Sequence, residues 1–162
     1  MIDILQTLSD NPNNFIILQT GKKNYDEVVA QLENTFPRYK TKSNILVKPY
    51  FDEMVYPLKA SDLVIARAGS LSLSEIAQCN LASILIPYPY AAQDHQRKNA
   101  KEMCDKGVSI YIEDSDCTGK KLLGAINEIT DKKLEIMREK TKYIIKSNPT
   151  EEIVMQLKST IE

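Results

Sequence analysis

The sequence contains no tryptophan, a single histidine and only three cysteines. His95 is the one imidazole, and Cys79, Cys104 and Cys117 are scattered with no C-x-x-C spacing, so no zinc site is expected. An odd, sparse set of thiols fits a reducing compartment, where cysteines pack as small apolar side chains. Glycine is also scarce, at five residues, and no glycine-rich turn opens the chain. No apolar run approaches the ~18 residues of a membrane span. The first residues, Met1-Ile2-Asp3-Ile4-Leu5-Gln6-Thr7, lack the basic start and apolar stretch of a signal peptide. An excess of one charge is missing too: 21 Lys and Arg oppose 22 Asp and Glu, a net charge of -1. Nothing therefore draws the whole chain to nucleic acid. A cytoplasmic protein with no nucleic-acid partner is expected, with contact to a membrane surface left open.

What is present is ordinary for a water-soluble domain: 162 residues, 43% hydrophobic and 27% charged. That length predicts one domain over residues 1–162, able to bury roughly 70% of the unfolded chain's surface. Short apolar runs alternate with longer amphipathic segments. Phe15 to Gln19 reads as a buried strand and Asn24 to Phe36 as a helix stopped by Pro37. A strand over Asn44–Pro49 and a short helix over Asp52–Ala60, with Pro57 inside it, come next. Strand Leu63–Ala66, helix Ser70–Cys79 and strand Ser83–Pro87 follow, then a loop over Tyr88–Gln93. Asp94–Lys106 reads as a helix capped by Gly107, and Val108–Ile112 as a strand. From Cys117 to Ile161 the pattern is helical in two or three pieces, with an apolar stripe at Leu122, Leu123, Ile126 and Ile129 and a break near Asn148-Pro149.

Alternating strands and helices predict an α/β fold: a Rossmann-like, doubly wound parallel sheet with helices on both faces. The chain opens with a helix over Met1–Leu8, whereas such a half-domain ordinarily opens with its central strand. That first central strand is expected to be lacking. In open parallel sheets, ligands bind at the carboxyl ends of the strands, so the loops after the runs are expected to crowd onto one edge. They are Gln19-Thr20-Gly21-Lys22, Pro49-Tyr50-Phe51-Asp52-Glu53-Met54, Arg67-Ala68-Gly69-Ser70-Leu71-Ser72-Leu73-Ser74-Glu75, and Pro87-Tyr88 through Gln93-Asp94-His95-Gln96. In the third loop Gly69 permits a tight turn, Ser70 is a natural N-cap, and the helix start behind them is a ready anion site. Glu75, further into that helix, is placed to accept hydrogen bonds from ribose hydroxyls. The plainer alternative is that Ser70 only caps and Glu75 only complements the helix dipole. Arg67 is placed either to neutralise phosphate or to form a structural ion pair. Arg97, Lys98 and Lys101 read as a solvated helix face, and Tyr88 and Tyr90 as packing or a small aromatic surface.

Arg67-x-Gly69-Ser70-Leu71-Ser72-x-Ser74-Glu75-Ile76 resembles the donor-site motif of the two-lobed (GT-B) glycosyltransferases of the MurG type, glycosyltransferase family 28. Gln19-Thr20-Gly21-Lys22, Tyr50 to Met54, and Pro87-Tyr88 to Asn99-Ala100 resemble further pieces of that family in the same order, so the resemblance covers nearly the whole chain. It implies the C-terminal, donor-binding lobe of an enzyme that transfers N-acetylglucosamine from UDP-GlcNAc to a lipid-linked muramyl-pentapeptide acceptor. It also implies roles. Glu75 holds the ribose; Gly69, Ser70, Leu71 and Ser72 face the diphosphate, with Arg67 near it; Phe51 and Met54 flank the uracil; His95 and Gln96 contact the sugar. No catalytic residue is assigned to this chain, and no metal or other cofactor is expected. The family's N-terminal acceptor-binding lobe has no counterpart in the sequence, and its G-G-S-Q-G-type loop is not matched. Partners expected from the resemblance are UDP-GlcNAc, that acceptor lobe and, through it, a lipid-linked acceptor at the cytoplasmic membrane face. Alternatives remain at this point: one subunit of a two-chain GlcNAc transferase, a UDP-sugar-binding module without activity, a sugar-nucleotide epimerase, or an interaction domain with a dead pocket.

Overall fold

The structure is a computed structural model that describes residues 2–144. The expected helix break at Asn148-Pro149 and the helical stretch toward Ile161 lie outside the described residues. Seven α-helices and five strands alternate within them. The described residues fall into two compact units, 2–60 with 115–128 and 61–114 with 129–144.

In the first unit, α1 (Ile2–Ser9) leads to β1 (Ile16–Gln19), α2 (Tyr25–Thr35), a 3-10 turn (Pro37–Thr41), β2 (Ile45–Lys48), α3 (Val55–Lys59) and, later in the chain, α6 (Gly119–Asn127). β1 and β2 are parallel, with Ile16 opposite Ile45 and Gln19 opposite Lys48. Leu32 and Phe36 lie one helical turn apart and meet Leu5 and Tyr39 in the core, against which Ile16, Leu18, Ile45 and Val47 pack. Leu32 is fully buried, which contributes roughly 1.5–3 kcal/mol. Pro37 ends α2 as expected, since it offers no N–H, and starts the 3-10 turn. Pro57 does not kink α3. The helix begins at Val55, three residues later than the sequence pattern suggests, so Pro57 falls in its first turn, where an N–H has no intrahelical partner. The buried strand expected over Phe15–Gln19 is corrected: Ile16, Ile17 and Leu18 are half-buried, Gln19 is exposed, and Phe15 lies outside the strand, 63% exposed.

In the second unit, β3 (Leu63–Ala66), α4 (Ser70–Gln78), β4 (Ala82–Leu85), a 3-10 turn (Ala92–Asp94), α5 (His95–Asp105) and β5 (Ser109–Tyr111) are joined by α7 (Asp131–Thr141). The strands are parallel in the order β3-β4-β5. Their register sets Leu63 opposite Ala82 and Ser83 opposite Ser109. β4 is buried at every position, whereas β3, equally apolar, is half-buried throughout. Each of β1 and β3 has a strand partner on one side only, among the described residues.

Two helix ends explain how the chain re-enters the sheet. Gly107 (φ 70°) follows α5, with its N–H on Cys104 O and the Val108 N–H on Met103 O. This is a Schellman ending that drops the chain into β5. Asn80 (φ 52°) closes α4 in the same way, with bonds from Asn80 N–H to Ala77 O and Leu81 N–H to Ile76 O. α7 lies against β4, where the buried Thr141 hydroxyl faces Met137 O at 2.8 Å and Leu81 O at 3.2 Å.

Candidate functional site

The loops at the strand ends are ordered by their own polar side chains. In the first unit, Gln19 Oε1 accepts from the Phe51 N–H at 2.9 Å, tying the end of β1 to the loop after β2. The Thr20 N–H adds a bond to Lys48 O at 3.1 Å. Lys48 Nζ lies 5.3 Å from the Phe51 ring centre, and Lys22 Nζ lies 4.9 Å from that of Tyr50. Phe51 and Met54 are half-buried. The result is a fixed loop with an aromatic ring, a thioether and two lysines at its rim. Sequence reasoning placed Gln19 in a motif without a role; its role is to hold Phe51.

In the second unit, the loop after β3 enters α4. The N-cap is Gly69 (φ -69°, ψ 146°) and not Ser70. Ser70 is already helical, so its hydroxyl cannot act as the N-cap expected from its residue type. The φ of Gly69 is also negative, so the turn itself does not require glycine, contrary to the expectation. A Cβ there would meet Gln96 Nε2 at 4.0 Å, an ordinary contact. Leu73 N–H makes the first intrahelical bond, to Gly69 O at 3.0 Å. The amides of Ser70, Leu71 and Ser72 precede it, and no side chain caps them among the described residues. Leu71 is 73% exposed, unusual for a leucine on a nine-residue helix. Glu75 lies five positions on from Ser70, about 7.5 Å along the axis. It is half-buried, and its carboxylate has no hydrogen-bond or ion-pair partner among the described residues.

Arg67 takes the structural alternative. Its Nη1 donates to Ile86 O (3.2 Å) and Pro87 O (3.1 Å) and pairs with Asp114. The guanidinium carbon sits 5.7 Å from the centre of the Tyr88 ring. Tyr88 and Tyr90 form an edge-to-face pair, 5.6 Å between centroids, with Tyr90 83% exposed. The Tyr88 N–H donates to Gln96 Oε1 at 2.9 Å, and Asn99 Nδ2 donates to Ala68 O at 3.1 Å. The loops after β3 and β4 are thus bound to the first turns of α5. His95 is exposed at the first position of α5.

Two features escaped the sequence reading. The expectation of no metal rested on finding no Asp-x-Asp pair, yet Asp114-Ser115-Asp116 spells one; in the structure Asp114 pairs with Arg67 and Asp116 with Lys121. Arg97, read as part of a solvated face, is bound instead to Glu113 and Asp94. The hydrogen bonds from Arg97 and from the Tyr111 hydroxyl hold the Glu113 carboxyl below the usual carboxylate range. Burial, then the bond to Glu113, pushes the Tyr111 hydroxyl up.

Parallel strands linked by helices, each strand followed at its carboxyl end by a polar loop, define an α/β domain of the Rossmann-like class. The chain belongs to the glycosyltransferase family 28 C-terminal domain family, whose model matches residues 3–157. It is 35% identical over 148 residues to the UDP-N-acetylglucosamine–N-acetylmuramyl-(pentapeptide) pyrophosphoryl-undecaprenol N-acetylglucosamine transferase of Desulforamulus reducens, covering 91% of this chain and 38% of that protein. The enzyme of the same name from Desulforudis audaxviator is 35% identical over 156 residues, covering 95% of this chain and 42% of the relative. The chain therefore spans about two-fifths of the relatives it matches. In fold it is similar to the crystal structure of Acinetobacter baumannii MurG, with a TM-score of 0.71 at 24% identity over 88% of this chain and 41% of that one. It is also similar to the glycotransferase of kitacinnamycin, with a TM-score of 0.63 at 15% identity over 86% of this chain and 34% of that one. Among the described residues, no helix is long and apolar enough to cross a membrane.

Proposed function

We propose that this chain is the donor-binding domain of an inverting N-acetylglucosaminyltransferase, taking UDP-GlcNAc and serving a lipid-linked acceptor of peptidoglycan synthesis. The observation that carries the reading is Glu75: a half-buried carboxylate without a partner among the described residues, on the same helix as three amides that no side chain caps. One nucleoside diphosphate complements both features. Its ribose hydroxyls donate to Glu75, and its diphosphate accepts from the amides of Ser70, Leu71 and Ser72 at the positive end of the helix dipole. Gly69, with no side chain, leaves the approach open. Arg67, at the end of β3, ties the start of this loop to the loop after β4 through the carbonyls of Ile86 and Pro87.

The remaining assignments follow the family resemblance. Phe51 and Met54 flank the uracil, with Phe51 held by Gln19. His95 and Gln96 meet the sugar hydroxyls; Gln96 uses its Oε1 on the Tyr88 N–H, which leaves its amide group to donate. In the reaction an acceptor hydroxyl attacks the anomeric carbon, the bond to the diphosphate breaks, and configuration inverts. The negative charge that grows on departing UDP is stabilised by the amides and dipole of α4. Deprotonation of the acceptor is assigned to the acceptor-binding lobe, as is contact with the lipid at the cytoplasmic membrane face. The domain alone binds donor without transferring it.

Calorimetric titration of the chain with UDP-GlcNAc, UDP and GDP-mannose tests the reading. Saturable binding of both uridine ligands and none of GDP-mannose is expected. A folded sample that takes up none of them refutes it.

A further inference from the structure

The loop entering α5 is held in a conformation that its residues resist. Gln93 (φ 50°, ψ 24°) and Asp94 (φ 59°, ψ 24°) both occupy the left-handed region. Neither is glycine, and each sets its Cβ close to a following carbonyl oxygen. Asp94 also stands at the N-cap of α5, where an aspartate ordinarily accepts from amides of the first turn. It makes no such bond among the described residues.

Its carboxylate is turned to Arg97 instead, with Nη1 3.0 Å from one oxygen and 3.1 Å from the other. The same guanidinium reaches the segment after β5. Arg97 Nε lies 3.1 and 3.3 Å from the two oxygens of Glu113, and Nη2 lies 2.9 Å from one of them. Tyr111 OH donates to Glu113 from the end of β5. One planar fork therefore joins the strained loop, the first turn of α5 and the end of β5. The two residues between its anchor points, Asp94 and Arg97, are His95 and Gln96.

We infer that Arg97 is the positioning residue of the sugar end of the donor site: by clamping Asp94 to Glu113 it fixes the direction in which His95 and Gln96 are presented. The inference rests on the donor-site reading above. Nε, Nη1 and Nη2 are all engaged by carboxylates, so Arg97 acts through its neighbours and not on the ligand. Lysine cannot substitute fully, because an ammonium is a point charge without the fork that spans both carboxylates. The clamp acts directly on His95 and Gln96, which lie between its anchor points, whereas the loop before α4 is tied to α5 by Asn99, outside them.

The test is titration of the full chain, unsubstituted and as R97A, R97K and E113Q, with UDP-GlcNAc and with UDP. R97A is expected to weaken UDP-GlcNAc binding ~10-fold, the scale of one lost hydrogen bond, while UDP affinity stays within about 2-fold. R97K and E113Q are expected to fall between R97A and the unsubstituted chain. Amide hydrogen exchange of residues 93–96 should accelerate in R97A, while the Gly107 and Val108 amides keep their protection. An unchanged ratio of UDP-GlcNAc to UDP affinity in R97A overturns the inference alone. Parallel loss of both ligands in R97A and E113Q does the same, because it marks a general structural role. Failure of the unsubstituted chain to bind either ligand overturns the donor reading and this inference with it.

Discussion

Glu75→Ala isolates the nucleotide-binding reading. The carboxylate is half-buried and makes no bond to the rest of the described chain, so its removal breaks nothing in the free protein. It stands well inside α4, where alanine is at least as good a helix former as glutamate; stability should change by no more than ~0.5 kcal/mol. Binding is another matter. A hydrogen bond to a charged acceptor contributes ~1.5–3 kcal/mol. Two ribose hydroxyls on one carboxylate would give more, but the carboxylate must shed water to receive them. A net loss of ~1.5–3 kcal/mol is expected, a rise in Kd of about 10- to 150-fold. The assay is calorimetric titration with UDP and with 2′-deoxy-UDP, on both forms of the chain. With Glu75 present, loss of the 2′-hydroxyl should weaken binding; with alanine it should make little difference, the non-additivity of a direct contact. Equal affinity of the two forms for UDP refutes the ribose assignment. An equal penalty for the deoxy ligand in both shows that Glu75 acts elsewhere.

Gly107→Ala should lower stability by ~1–2 kcal/mol, read from urea melts, without touching UDP affinity. The cost comes from the left-handed backbone (φ 70°), because the Lys140 ammonium that a Cβ would crowd at 2.7 Å ends a flexible chain and can move. Thr141→Val keeps the buried shape but removes the hydroxyl that faces Met137 O and Leu81 O, and should cost ~1 kcal/mol in the same melts. The pH dependence of the α5 loop should follow Glu113. A carboxyl with a depressed folded pKa adds stability above its unfolded value and loses that contribution as pH falls through the folded value. Arg97 stays charged throughout, and Lys101 adds to the depression. Protection factors at residues 93–96 should therefore fall once the pH drops through the depressed Glu113 value, below the usual carboxylate range, and E113Q should reduce that acid dependence.

The alternation of strand and helix was legible because each element carries its own period. Val28, Leu32 and Phe36 recur at helical spacing and Leu63–Ala66 is a continuous apolar run, and both elements form where the pattern puts them. Burial was less legible. Composition cannot separate β4, buried at every position, from β3, half-buried throughout, because burial depends on which strands lie alongside. The start of α4 at Ser70 was legible, but capping was not. Ser70 and Asp94 are residue types that favour capping, yet Gly69 takes the first cap and Asp94 surrenders its carboxylate to Arg97. In one place the path of the chain, in the other a partner one helical turn away, overrides the capping preference.

The candidate site divides along the same line. The proposed ligand contacts, Glu75, Ser70 and Phe51, could be named from the sequence because they belong to contiguous motifs. Residues that hold them could not. Gln19 is 32 positions from the Phe51 amide that it accepts from, Arg67 is 47 from Asp114, and Arg97 is 16 from Glu113. No local pattern pairs such residues; only the fold does. A scan confined to the binding motifs would contain Arg97 but not its partner Glu113, and would therefore miss the clamp. If R97A loses sugar affinity while keeping UDP, then specificity for the sugar is written partly in residues that the donor motif does not contain.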